Sequence, residues 1–108
     1  MEDQNRELVM FVVSNLLNAV AEILNMVIGA LELVVVLRVI LSWANADPYN
    51  GFVRAIHAIS EPLLAPFRKL LPPWRLNGLD LSPVFVLLTL VFARVFLVAT
   101  LQGFAARL

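Results

Sequence analysis

The chain has 108 residues, which is enough for one domain and no more. Apolar residues make up 61% and charged residues 15%, whereas a soluble domain is about half apolar and about a quarter charged. The net charge is zero, and no cluster of Lys and Arg indicates direct nucleic-acid binding. The absence of cysteine excludes disulfides, thiolate metal sites and cysteine nucleophiles. The composition therefore predicts a single all-α membrane domain over residues 1–108.

The first apolar stretch predicts a long helix over about residues 8–43, with a transmembrane span at 20–43. A helix of about 20 residues crosses the hydrocarbon of a bilayer, and Trp43 at the end of the span is favoured at the interface. An alternative is a short interfacial helix before the span. The first seven residues include three acidic and one basic side chain, unlike a secretory signal, which starts with positive charge.

Residues 44–80 are predicted to form an amphipathic loop between the spans. This loop is rich in proline, and Pro62 and Pro66 interrupt its helical pattern. The pattern consists of apolar residues at helical spacing: Phe52, Ile56, Ile59, Leu63, Phe67 and Leu70. We expect one or two short helices lying in the membrane interface, with a re-entrant segment as the alternative.

The second span is predicted at 81–101, so that the two spans form an antiparallel hairpin. Pro83 suits the first turn of a helix, and Gly103 lies near the expected end. The loop between the spans holds four basic residues and the outer ends hold two. This bias favours a cytoplasmic loop with both termini outside.

Six polar or small residues of the first helix recur at steps of three and four, which places them on one face. They are Asn15, Asn18, Glu22, Asn25, Gly29 and Glu32, and we call them the polar stripe. In lipid, such a face is expected to meet protein or water, because unsatisfied polar groups are costly there. The favoured interpretation is a helix–helix interface, and the alternative is a hydrated path for ions or protons.

Two ionisable residues near the middle of the spans are predicted to form an intramembrane ion pair. Glu32 precedes Trp43 by roughly 17 Å of helix, and Arg94 follows Leu81 by roughly 20 Å. In an antiparallel hairpin they lie at similar depth, so we expect Glu32 and Arg94 to pair within one chain or across a dimer. An unpaired arginine at that depth costs about 3 kcal/mol.

A second set of charges is predicted to clamp the loop onto the hairpin. Arg38 lies close enough to Trp43 to extend its side chain to the interface, where it can reach a loop carboxylate and make a bidentate pair. The residues of this predicted clamp are Arg38, Asp47, Glu61, Arg68 and Asp80. The alternative is that Arg38 is only a topology anchor.

Nothing in the sequence indicates an enzyme or a cofactor. His57 is the only histidine, and one histidine without cysteine makes a poor metal or haem site. There is no glycine-rich phosphate loop and no nucleophile–base set. We therefore expect neither a bound cofactor nor a bound metal.

An ordered set of short motifs runs from Arg38 to Pro83 and resembles the YggT family of small membrane proteins. The motifs are Arg38 with Leu41-Ser42-Trp43, Asp47-Pro48 with Asn50, Glu61-Pro62-Leu63-Leu64, Pro66-Phe67-Arg68, Leu71-Pro72-Pro73 and Gly78-Leu79-Asp80-Leu81-Ser82-Pro83. Ser60 stands where the family often has threonine. The polar stripe lies mostly outside these motifs, so no role for it comes from the resemblance.

The resemblance implies a location in a bacterial inner membrane or a plastid-derived membrane. It also implies links to envelope organisation, cell division, osmotic tolerance and assembly of a membrane cytochrome. Some relatives carry the two-span unit twice, which implies self-association, at least as a dimer, for a chain with one unit. The leading hypothesis is a non-enzymatic scaffold or assembly factor, or an accessory subunit of a larger membrane complex. The alternative is a small homo-oligomeric channel or osmotic-stress pore lined by Asn18, Asn25 and Glu32.

Overall fold

The computed structural model describes residues 1–70 and 82–108, which are almost entirely helical. Helix α1 covers Glu2–Trp43, α2 covers Gly51–Leu70 and α3 covers Ser82–Arg107. Both α1 and α3 are long and apolar enough to cross a membrane. The all-helical prediction is therefore confirmed, and α1 is one continuous helix without a separate interfacial helix before the span.

Helices α1 and α3 lie side by side with opposite chain directions. Near one end, the Ser14 hydroxyl donates to the Ala105 carbonyl oxygen at 3.2 Å. Near the other end, Val35 packs against Val86. The buried residues of α1 recur every seven positions at Ala21, Ile28 and Val35. This spacing is that of a left-handed helix pair, and we call this face of α1 the seam.

The two paired helices differ in length. At about 1.5 Å per residue, α1 is about 63 Å long and α3 about 39 Å. Because Ser14 meets Ala105 near the end of α3, the first three turns of α1 extend beyond its partner. This overhang carries large exposed apolar side chains from Leu8 to Phe11. The end of α3 lies past Gly103, at Arg107.

Helix α2 packs against both long helices near their connected ends. Leu64 is fully buried and forms a cluster with Val35 and Val86. Four partly buried apolar side chains surround this cluster: Leu63, Phe67, Leu87 and Leu90. The segment between the spans is thus held against the helix pair by apolar packing as well as by the chain.

The connection from α1 to α2 is a tight reversal built from polar residues. Asn45 adopts a left-handed conformation with φ of 50°, which Asn tolerates better than most residues. The N–H of the next residue, Ala46, donates back to the Leu41 carbonyl oxygen at 3.1 Å, as in a Schellman cap. At the start of α2, Asn50 Oδ1 accepts from the Phe52 N–H at 2.8 Å, which caps the new helix.

The two prolines of α2 do not divide it. The helix continues through Pro62 and Pro66, although each proline lacks an N–H and crowds the carbonyl four residues earlier. Both prolines and Ala58, whose carbonyl Pro62 leaves without its helical partner, are exposed. The carbonyl group that Pro62 leaves without a helical partner thus belongs to an exposed residue, where polar surroundings can satisfy it. Of the predicted alternatives, the structure has one helix rather than two.

We expect Leu64→Ala to destabilise the docking of α2 by about 2 kcal/mol, the lower end of the range for a buried leucine. Its side chain fills the space between Val35 and Val86, and truncation leaves a cavity there. The measurement is reversible unfolding in mixed detergent micelles, followed by circular dichroism. Leu88→Ala is the matched control, since Leu88 is 63% exposed on α3. Equal losses for the two variants would contradict the role of the cluster.

Candidate functional site

An arginine of α3 contacts two residues of the polar stripe on α1. Arg94 Nε donates to Glu32 Oε2 at 2.6 Å, and Nη2 lies 3.4 Å from Oε1. The other terminal nitrogen, Nη1, donates to Asn25 Oδ1 at 3.3 Å. The structure thus brings together the two residues that the sequence pairs, and it adds Asn25 as a third member.

The antiparallel packing explains why residues at different heights meet. Ser14 contacts Ala105, and Asn25 follows Ser14 by as many residues as Arg94 precedes Ala105, so Asn25 and Arg94 lie at the same height in the antiparallel pair. Glu32 lies about two turns further along α1. Side chains on a helix lean toward its N-terminus. In an antiparallel pair these directions oppose each other, so the Arg94 and Glu32 side chains converge between the helices.

The ion pair is shielded from the surroundings but not enclosed. The Glu32 side chain is 16% exposed and the Arg94 side chain 32% exposed. Two parallel donors of the guanidinium face the two carboxylate oxygens, which is the strongest geometry for such a pair. Removing one partner leaves the other as an uncompensated charge, and this loss costs more than the pair itself contributes.

A second polar cluster fastens α2 to α1. Arg38 Nη1 lies 2.9 Å from Glu61 Oε2 and donates to the Ser60 hydroxyl oxygen, also at 2.9 Å. Glu61 accepts a further bond from Arg68 of the same helix. Three of the five predicted clamp residues, Arg38, Glu61 and Arg68, are therefore in direct contact.

The remaining two clamp residues are not part of this cluster. Asp47 is exposed, and its Oδ1 accepts from the Tyr49 N–H at 2.9 Å, which stabilises the turn between α1 and α2. A carboxylate next to a proline in a turn can accept a hydrogen bond from a backbone N–H of the same turn, and this bond needs no contact with an arginine of another segment. Asp80 lies outside the described residues.

Ser60 belongs to this cluster but not to the predicted clamp. It is fully buried, donates to the Ile56 carbonyl oxygen at 2.7 Å and accepts from Arg38. The sequence contains a signal for this role, because Ser60 is the polar residue on the buried face of α2. A hydroxyl group at such a position needs partners.

The two arginines hold the pKa of Glu61 below its usual range. The largest cause is the hydrogen bond from Arg38, and the positive charges of Arg68 and Arg38 act in the same direction. Partial burial opposes them but is outweighed. Glu61 is consequently ionised throughout the neutral range and holds both guanidinium groups together.

The polar stripe does not coincide with the seam of the helix pair. Its second half, with Asn25 and Glu32, contacts Arg94 on the flank of the seam. Its first half, with Asn15, Asn18 and Glu22, is exposed. Their side chains have no hydrogen-bond partner among residues 1–70 and 82–108. Within the described part of the chain, three polar groups are thus left uncovered on an apolar helix.

Comparison with known proteins confirms the resemblance. The family model described as CCB3/YggT matches residues 17–101. An uncharacterized protein of Pseudomonas aeruginosa is 39% identical over 80 residues, which cover 74% of this chain and 40% of that protein. An uncharacterized protein of Haemophilus influenzae is 38% identical over 74 residues, which cover 68% of this chain and 39% of that protein.

A more distant relative carries the family name. The uncharacterized protein YggT of Escherichia coli K12 is 27% identical over 78 residues, which cover 72% of this chain and 40% of that protein. The matched parts therefore span about two fifths of the curated relatives. No solved structure matches the chain.

We expect Glu32→Gln to lower the free energy of unfolding by about 3 kcal/mol, because it leaves the Arg94 charge without a partner inside the helix pair. The double variant with Arg94→Gln is expected to lose less than the sum of the two single variants. Unfolding in mixed micelles measures both effects, and Glu7→Gln, exposed on the same helix, is the control. If Glu32→Gln has no effect while Arg94 stays essential, the pairing is wrong.

We expect the docking of α2 to weaken in acid. The folded pKa of Glu61 is depressed, so its stabilisation is present above the unfolded pKa of about 4.3 and is lost as the pH falls through the folded value. The measurement is the free energy of unfolding from about pH 6 to about pH 3. Glu61→Gln is expected to flatten this dependence, and the same slope in both proteins would contradict the assignment.

Proposed function

This chain belongs to the CCB3/YggT family, and on that basis we propose that it is a non-enzymatic membrane scaffold or assembly factor. It acts through helix–helix contacts in the membrane and through the Pro-rich segment between its spans. The observation that carries the proposal is the exposed first half of the polar stripe, with Asn15, Asn18 and Glu22 on an otherwise apolar helix.

We place the chain in a bacterial inner membrane with α1 and α3 as an antiparallel transmembrane hairpin. Two helices of sufficient length and apolar surface support this location, as do relatives from Pseudomonas, Haemophilus and Escherichia. The four basic residues between the spans, against two at the outer ends, support a cytoplasmic position for α2 with both termini outside.

The exposed half of the stripe is suited to bind another membrane helix. Glu22 lies within the predicted span at 20–43, and Asn18 lies just before it. Within lipid, an exposed polar group finds no hydrogen-bond partner, so a helix that supplies one gains association energy. The seam of α1 is already occupied by α3. The stripe is therefore a second, independent surface, and binding there leaves the hairpin intact.

Helix α2 supplies a fixed surface at the other end of the hairpin. Its position is set by the apolar cluster around Leu64 and by the contacts of Arg38 with Ser60 and Glu61. A surface held by both kinds of contact keeps its shape when a partner binds, which lowers the ordering cost of assembly.

Two kinds of partner fit this arrangement. One is a further copy of the chain, at least as a dimer, and the other is a larger membrane protein complex that holds the chain as an accessory subunit. The length of the relatives, of which the matched segments cover about 40%, is compatible with either. The pore alternative gains no support, because Arg94 engages two of its three proposed lining residues, Asn25 and Glu32.

We expect the tagged chain, extracted in a mild detergent at native levels, to run as a complex larger than one copy. Replacing two stripe residues together, Asn18→Leu with Glu22→Leu, removes polar contacts and is expected to reduce the mass to that of a single chain. Native mass measurement with identification of the components provides the readout and names the partner.

The control for this experiment is Thr100→Leu, a polar-to-apolar change at an exposed position of α3. It is expected to leave the complex unchanged. A complex that survives the double replacement would remove the stripe as the docking surface. A wild-type chain that runs alone would refute the scaffold proposal.

A further inference from the structure

Three stripes of chemically different residues run along α2, each with a spacing of seven positions. Seven residues make nearly two helical turns, so the members of each stripe lie on one side. The central stripe, Val53, Ser60 and Phe67, faces the helix pair and is buried or partly buried. It is flanked on one side by Phe52, Ile59 and Pro66, and on the other by Arg54, Glu61 and Arg68.

The two flanks of α2 are therefore opposite in character. On the apolar flank, Phe52 is 57% exposed and Ile59 47% exposed, and neither belongs to the apolar cluster around Leu64. On the charged flank, Glu61 lies between two arginine side chains. Packing against α1 and α3 explains the central stripe, but these helices leave Phe52 and Ile59 of the apolar flank exposed.

The position of α2 indicates what covers this flank. Leu64 is packed between Val35 of α1 and Val86 of α3, both within about three turns of the connected ends of these helices. In the proposed membrane location, a helix fixed there lies beside the apolar side chains of the two spans, close to the end at which both spans leave the hydrocarbon. One apolar and one charged flank are the surfaces that the boundary between hydrocarbon and polar headgroups requires.

We propose that the apolar flank of α2 is a lipid-binding surface, with Phe52 and Ile59 inserted among the acyl chains and the charged flank turned toward headgroups and water. This assignment rests on the proposed membrane location and fixes the rotation of α2 about its own axis. It makes α2 a helix that lies along the bilayer surface rather than one that enters the bilayer completely.

The test uses single tryptophans in the full-length chain, with Trp43→Phe and Trp74→Phe as the background. The protein is reconstituted into phosphatidylcholine–phosphatidylglycerol vesicles whose acyl chains carry bromine, which quenches nearby tryptophan fluorescence. Ile59→Trp reports the apolar flank. Ala58→Trp is the matched control, since Ala58 is the neighbouring exposed residue of α2 and lies about 100° around the helix from Ile59, outside the apolar flank.

A third reporter, Phe92→Trp, tests the membrane location by itself, because Phe92 is 69% exposed near the middle of α3. We expect strong quenching of Ile59→Trp, approaching that of Phe92→Trp, and quenching of Ala58→Trp that is several-fold weaker. If Ile59→Trp does not fold, Phe52→Trp replaces it with a smaller change of shape.

The outcomes separate the two proposals. If Phe92→Trp escapes quenching, the membrane location fails. If Phe92→Trp is quenched but the Ile59 or Phe52 reporter is not, acyl chains do not cover the flank, and only the lipid-binding surface is refuted. Equal, strong quenching of Ile59→Trp and Ala58→Trp would mean that α2 is submerged, which also overturns the inference.

Discussion

The charge of Arg94 must be neutralised inside the helix pair, and this requirement determines how α1 and α3 lie against each other. Apolar contacts alone set the register of two membrane helices weakly, because lipid tails are as apolar as leucine. A guanidinium that reaches Glu32 and Asn25 at once allows far fewer registers. The ion pair therefore fixes the register of α1 and α3 as well as stabilising their contact.

The same register positions the other polar groups. With Arg94 beside Asn25, Val35 lies opposite Val86 and leaves room between them for Leu64 of α2. That position brings Ser60 and Glu61 within reach of Arg38. It also turns Asn15, Asn18 and Glu22 away from α3. A change in the alignment of the two long helices would thus displace both surfaces to which we assign a function.

Some of this arrangement follows from the sequence and some does not. The helical class and the two long apolar helices follow from composition and length, and Glu32 and Arg94 can be paired by depth alone. The seam cannot be identified, because α1 is apolar on nearly every side and its contact face does not contrast with its outer face. The polar stripe gives the visible periodicity, but Ala21, Ile28 and Val35 make the contact. The prolines of α2 suggest a break, yet their exposed positions let the helix continue.

In the proposed membrane location, the overhang of α1 beyond α3 has a consequence for the surrounding bilayer. The apolar part of α3 matches a hydrocarbon thickness of about 30 Å, whereas α1 carries exposed apolar residues from Leu8 to Phe11 beyond the end of its partner. A thicker bilayer immerses more of this overhang, and a thinner one leaves it outside or tilts the pair. The unequal lengths of the two helices thus couple the inclination of the whole molecule to membrane thickness.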